Sequence, residues 1–568
     1  MPINIQNDPH RSQLTDAGLA AQRQGDFNKA VALFQQAVDL APLNADSHGN
    51  LADALRDAGD VEKALAAYDR AIQLDPRRST FYNNRGTLRR MIGRLTEAIQ
   101  DYQFVIAHPS PDMPMAILSY AYNNLANALD DQGATEQAMP YYRLALQSDP
   151  SNSGSYSNML LATASIPDFN PIEALDLERQ WWARYASHIT PMSHKPPGRT
   201  SRPLRVGLVS ADFRSHSVAF FLLPLLSRFD RSRFHFTCYA DIASPDQYTK
   251  QFHDLASAWR NIRNSSDHVA AQMIEFDKMD ILLDLGGHTG FARLGIFAYK
   301  PAPIQVAYLG CPISTGSPLI DWRITDALAD PPGMTDAHFS EKLWRLDRPA
   351  WCFRPIADIP TVETPPVSRH THFTFGSFNN FCKVTPQLIS LWAEILRNAP
   401  NSRLLLKGTA LADAPFTSTL LERFSALGVQ SDRILLRPRN LDARDHLAAY
   451  NEIDLALDTF PYNGTTTTCE ALYMNVPVLT CSGTTHHSRV STSLLSALNL
   501  PELIAQSPDQ YKTFAIRFAQ NQVTLATIRS GLRQRLQQSP LMNESAFATA
   551  FTTALRHMWR RYSEPNRR

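Results

Sequence analysis

One feature limits what this chain can fold into more than any other: its first third repeats itself. Gly25, Gly59 and Gly93 recur 34 residues apart, and Ala30, Ala64 and Ala98 keep the same spacing. Pro42 and Pro76 follow suit, and a longer fourth unit carries Gly133, Ala138 and Pro150. HPSPDM, at 108–113, is turn-rich and accounts for the extra length. Each unit reads as two amphipathic helices. In the second, ADSHGNLADALRDAG precedes DVEKALAAYDRAIQLDP. Gly59 supplies a left-handed turn, Ala64 permits close helix approach, Tyr68 and Ala71 share a face, and Pro76 stops the helix.

A 34-residue helical period with small residues at fixed places is the tetratricopeptide pattern. Such units bury their apolar faces only by stacking, which yields a superhelix with a concave surface. Four clear units span about 11–150, and helical sequence continues to about 190. Asn83–Asn84 and Asn123–Asn124 occupy equivalent places in first helices, with Asn50 one unit earlier. Amides are poor helix formers, so their recurrence suggests a ladder that hydrogen-bonds an extended peptide. The plain alternative is that Asn is tolerated there.

Composition narrows the function classes. Lys plus Arg number 55 and Asp plus Glu 54 in 568 residues, a net charge of +1. That balance argues against a chain built to hold nucleic acid. Hydrophobic residues at 44% and charged residues at 19% suit a folded, globular chain. No apolar run reaches 18 residues, and MPINIQNDPHRSQ lacks the basic start and apolar core of a signal peptide. Six scattered cysteines form no C-x-x-C pair. A cytoplasmic protein without a membrane partner is the expectation.

After a Pro-, Gly- and Arg-rich linker at 191–203, the period changes. LRVGLVSAD, FHFTCYAD, MDILLDLGG and IQVAYLG are strand-like runs separated by helical stretches. A second set follows the proline-rich DIPTVETPPVSR at 358–369: FTFGSFN, SRLLLKG, RILLRP, IDLALDTF and VPVLT. Alternation of this kind means mostly parallel sheets. The predicted organisation is repeats at 1–190, linker at 191–203, a first α/β lobe at 204–360 and a second at 361–568. Ligands then bind in a cleft beyond the carboxyl ends of the strands.

Three strand-ending loops carry candidate chemistry. In IDLALDTFPYNGTTTTCEAL a strand ends at Phe460, and a helix begins near Thr466. Thr466, Thr467 and Thr468 then sit at a helix N-terminus, where free N–H groups and the dipole favour a diphosphate. An ordinary Thr cap needs only one hydroxyl. Glu470, one turn on, is placed to accept from ribose hydroxyls. In SFNNFCKVTP, Lys383 lies between strand and helix, where it can neutralise a leaving phosphate, although spacing alone favours a plain solvated lysine; Asn380 can reach the same ligand. In ADFRSHSVAFF, His216 can act as a base or donate to phosphate, and a capping or surface histidine fits the position equally well. LDLGGHTGFAR presents Gly286, Gly287, His288 and Gly290 beside the cleft, the glycines allowing close backbone approach. There is neither a P-loop nor a D-x-D motif, so no metal-bridged diphosphate is expected. The C-terminal RRYSEPNRR reads as a solvated tail.

Repeats followed in order by RVGLVSADFRSH, LDLGGHTGFAR, KPAPIQVAYLGCPISTG, FNNFCK and YNGTTTTCEAL resemble the protein O-GlcNAc transferases over nearly the whole chain. The resemblance implies a GT-B fold, UDP-GlcNAc as donor, no metal or other cofactor, and inverting transfer to Ser or Thr hydroxyls. An acceptor protein or peptide would occupy the repeat groove and cleft. His216 matches the family's active-site histidine, either a general base or a group that orients the donor. Lys383 matches the lysine that stabilises departing UDP. Thr466 and Thr467 match the pair that holds the diphosphate, and Glu470 stands for an Asp at the ribose. His446 matches a histidine beside the uracil, Asn380 stands for a Gln, and Asp246 aligns with an acidic position near the acceptor. Thr465 replaces a histidine, and a lysine of the uracil-side loop is replaced around Asp442. Two alternatives stay open: another donor, such as GDP-fucose or UDP-glucose, or a repeat scaffold with idle lobes.

Overall fold

The computed structural model describes residues 9–109, 113–196, 202–357, 359–360, 365–368, 371–439 and 442–564. Parts of the insertion at 108–113, the linker at 191–203 and the stretch at 358–369, with the last residues of the basic tail, lie outside them. The chain divides into two compact units. One is Met1–Ser155 with Thr409–Thr417; the other is Tyr156–Gly408 with Ser418–Arg568.

The first unit is a stack of helix pairs: α1 (Pro9–Gln24) with α2 (Phe27–Leu40), α3 (Ala45–Asp57) with α4 (Val61–Leu74), α5 (Ser79–Met91) with α6 (Leu95–Ala107), and α7 (Met115–Asp131) with α8 (Thr135–Ser148). The recurrent glycines make the turns, with φ of +81° at Gly25, +85° at Gly59, +83° at Gly93 and +74° at Gly133. Only residues without a Cβ adopt such angles at no cost. Ala30, Ala64, Ala98 and Ala138 are fully buried, as are Phe34, Tyr68 and Tyr102 one turn along.

The second helices of the first two pairs are capped by their own aspartates. Asp26 accepts from Lys29 N (3.2 Å), and Asp60 accepts from Lys63 N. At the third pair the equivalent residue is Arg94, which caps nothing. The segment Thr409–Thr417 makes good the loss: Asp413 Oδ2 accepts from Thr96 N (2.7 Å) and Thr96 Oγ1 (2.6 Å). Asp413→Ala is therefore expected to destabilise the first unit by about 1 kcal/mol, the usual cost of a lost cap. Denaturant unfolding followed in that unit checks this; an unchanged midpoint would refute the capping role.

The second unit opens with α9 (from Ser153–Thr163) and α10 (Pro171–Tyr185). Its first sheet contains β1 (Leu204–Ser210), β2 (Phe234–Ala240), β3 (Ala258–Asn261), β4 (Ile281–Asp284), β5 (Ile304–Ala307), β6 (Trp322–Asp326) and β7 (Lys342–Leu346). All pair in parallel, in the order β3-β2-β1-β4-β5-β6-β7. Helices α11 (Ser217–Arg228), α12 (Gln247–Leu255), α13 (Asp267–Phe276) and α14 (Leu294–Ala298) connect the earlier strands.

The second sheet has the order β10-β9-β8-β11-β12-β13, again all parallel. Its strands are β8 (Phe373–Ser377), β9 (Ser402–Gly408), β10 (Ile434–Pro438), β11 (Leu455–Leu457), β12 (Val478–Cys481) and β13 (Ile504–Ala505). Helices α15 (Pro386–Asn398), α16 (Ala414–Ala426), α17 (Ala443–Ala448), α18 (Thr466–Tyr473) and α19 (Val490–Ser496) link them. They are followed by α20 (Pro508–Gln520), α21 (Gln522–Arg529), α22 (Leu532–Gln538) and α23 (Glu544–Ser563).

The last helix returns to the first lobe. Glu544 of α23 pairs with Arg228 (3.2 Å) and Arg354 (2.9 Å), and Phe551 stacks edge-on against Tyr308. Each sheet reverses direction next to its first strand, between β1 and β4 and between β8 and β11. These reversals are where doubly wound sheets leave a crevice.

Candidate active site

The loops leaving those four strands carry the candidate residues. After β11, Asp458 is 2% exposed in an otherwise apolar run. Its Oδ1 accepts from Asn379 Nδ2 (3.2 Å), Thr459 N (2.9 Å) and Gly464 N (2.7 Å), and its Oδ2 from Thr480 Oγ1 (2.7 Å). This carboxylate sets the path of the loop that starts α18. The helix begins at Thr466, so the amides of its first turn have no intrahelical acceptor.

The threonines divide their work. Thr466 Oγ1 makes no hydrogen bond to any described residue. Thr467 Oγ1 donates to Asn379 Oδ1 (2.6 Å). Thr468 is buried, and its hydroxyl is paired with Ser491 (3.0 Å). The edge of three open hydroxyls expected from the sequence thus reduces to Thr466 and, once Asn379 releases it, Thr467. Thr468 contributes only its backbone, because the helical turn rotates its side chain into the core.

After β8, it is Asn379, not Asn380, that bridges Asp458 and Thr467; Asn380 is exposed and caps nothing. Lys383 donates to Asn463 O (2.8 Å), and its ammonium lies 3.6 Å from the Tyr462 ring centroid. Burial pushes this amine down to about 8, against the smaller opposing pull of Cys382 and Asp458. Asn463 is itself held through its N–H by His487 O (2.9 Å). The neighbouring His486 pairs with the buried Asp330 of the first lobe (2.6 Å), which ties the Lys383 loop to the seam between lobes. Ser493 Oγ donates to Asp326 (2.7 Å) along the same seam.

On the first lobe, His216 is the N-cap of α11, and its Nδ1 accepts from Val218 N (3.3 Å). Its neutral ring therefore carries hydrogen on Nε2. Burial lowers its pKa; Asp212, 3.6 Å away, opposes this, while Arg214 and Arg439 add to it. Asp246 caps α12 with Oδ1, accepting from Tyr248 N (2.8 Å) and Thr249 N (3.0 Å). Its Oδ2 accepts from Ser215 N (2.6 Å). Both oxygens are thus committed to backbone. Asp246 thereby ties the loop that carries His216 to the start of α12.

The glycine turn after β4 is held by Asp284, which accepts from Gly286 N (3.1 Å) and Gly287 N (2.8 Å). Gly287 has φ +58°, and a Cβ there would lie 2.5 Å from Cys311 Cβ, so it serves close packing. His288, expected beside the cleft, instead points inward. It is 1% exposed, faces Ser157 Oγ (3.1 Å) and Thr315 O (3.2 Å), and stands edge-on to Trp181. Burial pushes it down to about 4, so it stays neutral. Two good neutral hydrogen bonds in the core outweigh exposure at the loop tip.

On the far side of α18, His446 and Glu470 meet, Nε2 to Oε2, at 3.0 Å. Tyr450, Lys407 and Phe378 surround them. Sequence reasoning passed over Asp458, Asn379, Lys407 and Tyr462. The available signal was a lone charge at the end of an apolar strand, as in LALD and LLLK. Among the described residues, no group of three or more His, Cys, Asp or Glu is arranged to hold a metal, and no helix is long and apolar enough to cross a membrane.

Helical repeats come ahead of two parallel-sheet, Rossmann-like lobes, and a helix N-terminus and a lysine meet at the switch point of the second. Residues 185–351 and 370–551 match Glycosyl transferase family 41, and 15–79, 50–114 and 119–152 match tetratricopeptide repeats. The chain belongs to glycosyl transferase family 41. It is 37% identical over 429 residues to the probable UDP-N-acetylglucosamine–peptide N-acetylglucosaminyltransferase SPINDLY of Oryza sativa subsp. japonica, covering 74% of this chain and 46% of that one. The corresponding Arabidopsis thaliana protein SEC is 29% identical over 420 residues, covering 69% and 42%. The chain thus spans under half the length of these relatives. A mutant of the Thermobaculum terrenum O-GlcNAc transferase superposes with TM-score 0.79 at 29% identity, covering 100% of both chains.

Proposed function

We propose that this protein transfers GlcNAc from UDP-GlcNAc to Ser or Thr hydroxyls of proteins, with inversion and without a metal, across lobes 204–360 and 361–568. The observation that carries the reading is the convergence of Lys383 and the α18 N-terminus at the β8–β11 switch point. The relatives' names agree with that donor and with a peptide acceptor.

In this reading the diphosphate lies against the first turn of α18, with Thr466, Thr467 and Lys383 around it. The acceptor oxygen bonds to the anomeric carbon as the carbon–oxygen bond to the diphosphate breaks. The electron pair goes to the phosphate, where Lys383 and the α18 amides meet the growing charge. The acceptor proton leaves to a phosphate oxygen or water. With Nδ1 occupied by Val218 N–H, neutral His216 offers a donor from Nε2. That suits orienting the donor better than accepting a proton.

The repeats supply the acceptor surface. Their amides form a hydrogen-bonded line: Asn123 to Asn124 (3.2 Å), Asn124 to Asn83 (3.1 Å), Asn83 to Asn84 (3.5 Å), and Asn84 to Asp53 (3.3 Å). Each side-chain amide keeps capacity for a peptide backbone.

Calorimetric titration with UDP, GDP and their sugar conjugates, on wild type and Lys383→Ala, tests the reading. UDP binding that weakens in the variant is the expected result. Preference for GDP moves the donor to a GDP-sugar such as GDP-fucose. No nucleotide binding leaves a repeat scaffold with idle lobes.

A further inference from the structure

The polar cluster beyond α18 contains a lysine that neither sequence reasoning nor the proposed chemistry uses. Lys407 closes β9 and is 3% exposed. Its ammonium donates to His446 Nδ1 (2.8 Å) and His446 O (3.1 Å) and faces the Phe378 ring at 4.8 Å. Two of the three ammonium hydrogens are thus spent on His446, and the ammonium has no lone pair with which to accept.

The consequence passes to the next residue. Because Lys407 donates to Nδ1, that nitrogen holds the lone pair and Nε2 holds the hydrogen. Nε2–H then donates to Glu470 Oε2 (3.0 Å), which Tyr450 O–H also approaches (3.2 Å). Oε2 is saturated. Glu470 Oε1 has no partner among the described residues, although Glu470 is 5% exposed. An unpartnered carboxylate oxygen on so enclosed a residue keeps its lone pairs for a ligand's hydroxyls.

We propose that Lys407 is a positioning residue of the nucleotide site. It fixes the His446 ring, and through that ring it holds Glu470 with Oε1 presented to the hydroxyls of a ribose. This rests on the nucleotide-sugar reading above and deepens it by assigning which residues hold the ribose-facing carboxylate in place. A residue that merely fills the core has no reason to distinguish a ribose from its deoxygenated form.

The test measures binding of UDP, or of GDP where wild type prefers it, and of the matching 2′,3′-dideoxynucleotide. The full-length chain is used as wild type, Lys407→Met and His446→Gln. Inorganic pyrophosphate, which lacks a ribose, reports whether each variant retains a folded diphosphate site. The expected result is that wild type prefers the ribonucleotide about tenfold, the value of one good hydrogen bond to a charged group. Lys407→Met loses that preference while still binding pyrophosphate. His446→Gln, whose amide can accept from Lys407 and donate to Glu470, keeps part of it.

Equal weakening of both nucleotides in Lys407→Met, or loss of pyrophosphate as well, would overturn the proposal in favour of a role in the fold. So would an unchanged preference. If wild type binds no nucleoside diphosphate, the donor reading itself fails, which separates the two failures.

Discussion

Lys383→Ala is expected to lower kcat by about 10²–10³, the loss typical when one preorganised donor to a developing negative charge is removed. Charge grows on the diphosphate only as the glycosidic bond breaks, so the effect falls on kcat more than on donor affinity. The second half of this expectation concerns pH. Burial holds the Lys383 ammonium down to about 8, well below an ordinary lysine. The useful form is the cation, which is present below that value and lost above it. In the free protein kcat/KM therefore falls as pH rises through about 8. A bound diphosphate favours the cation, so the matching limb in kcat lies higher. In Lys383→Arg the limb disappears, because guanidinium does not titrate in this range. Single-turnover rates across pH 6–10 measure both halves. An alanine variant of wild-type rate would remove Lys383 from the chemistry.

The second large effect is structural. Asp458→Ala is expected to destabilise the second unit by about 3–5 kcal/mol, roughly 1 kcal/mol for each of the buried donors left without an acceptor. Asn379 Nδ2, Thr480 Oγ1 and the amides of Thr459 and Gly464 all lose their acceptor at once. Lys383 also loses a nearby countercharge. Asp458→Asn keeps one oxygen for the Oδ1 donors and offers an amide to Thr480, whose hydroxyl can turn to accept. It should recover a good part of the loss. Denaturant unfolding gives the energy, and hydrogen exchange at Asn463–Thr467 reports the loop. If Asp458→Ala unfolds at the wild-type midpoint, the carboxylate does not organise that loop.

The contrast between Asp458 and Thr468 shows what sequence can and cannot reveal. The repeats were legible because their glycines and alanines obey a strict period, and each of those positions has one physical reason. The central strands of both sheets were legible because they are buried on both faces and read as apolar runs. The strands β3, β6, β7 and β13 escaped. AWRN is half-exposed at a sheet edge, WRITD alternates apolar and polar residues, KLWRL lies half-exposed at the other edge, and β13 has two residues. Short, edge or alternating strands leave little hydrophobic signal.

At the site, the loops were found but not the direction of each side chain. Thr468 and His288 face the core, and Asp246 is spent on backbone amides, because rotation within a turn is settled by packing rather than by local sequence. Lys407 and Asp458 were visible as lone charges closing apolar strands, a position where parallel sheets place ligands.

The return of α23 to the first lobe bears on how the chain is made. Strand β7 ends at Leu346, yet the helix that covers this lobe finishes at Ser563. On a ribosome moving at about 5–20 residues per second, the first lobe waits roughly ten to forty seconds for its last packing partner. Until then the apolar surface around Tyr308 lacks the Phe551 ring that covers it. Synthesis of this protein thus runs against the usual order in which an earlier domain is finished before a later one emerges: the two lobes must be completed together.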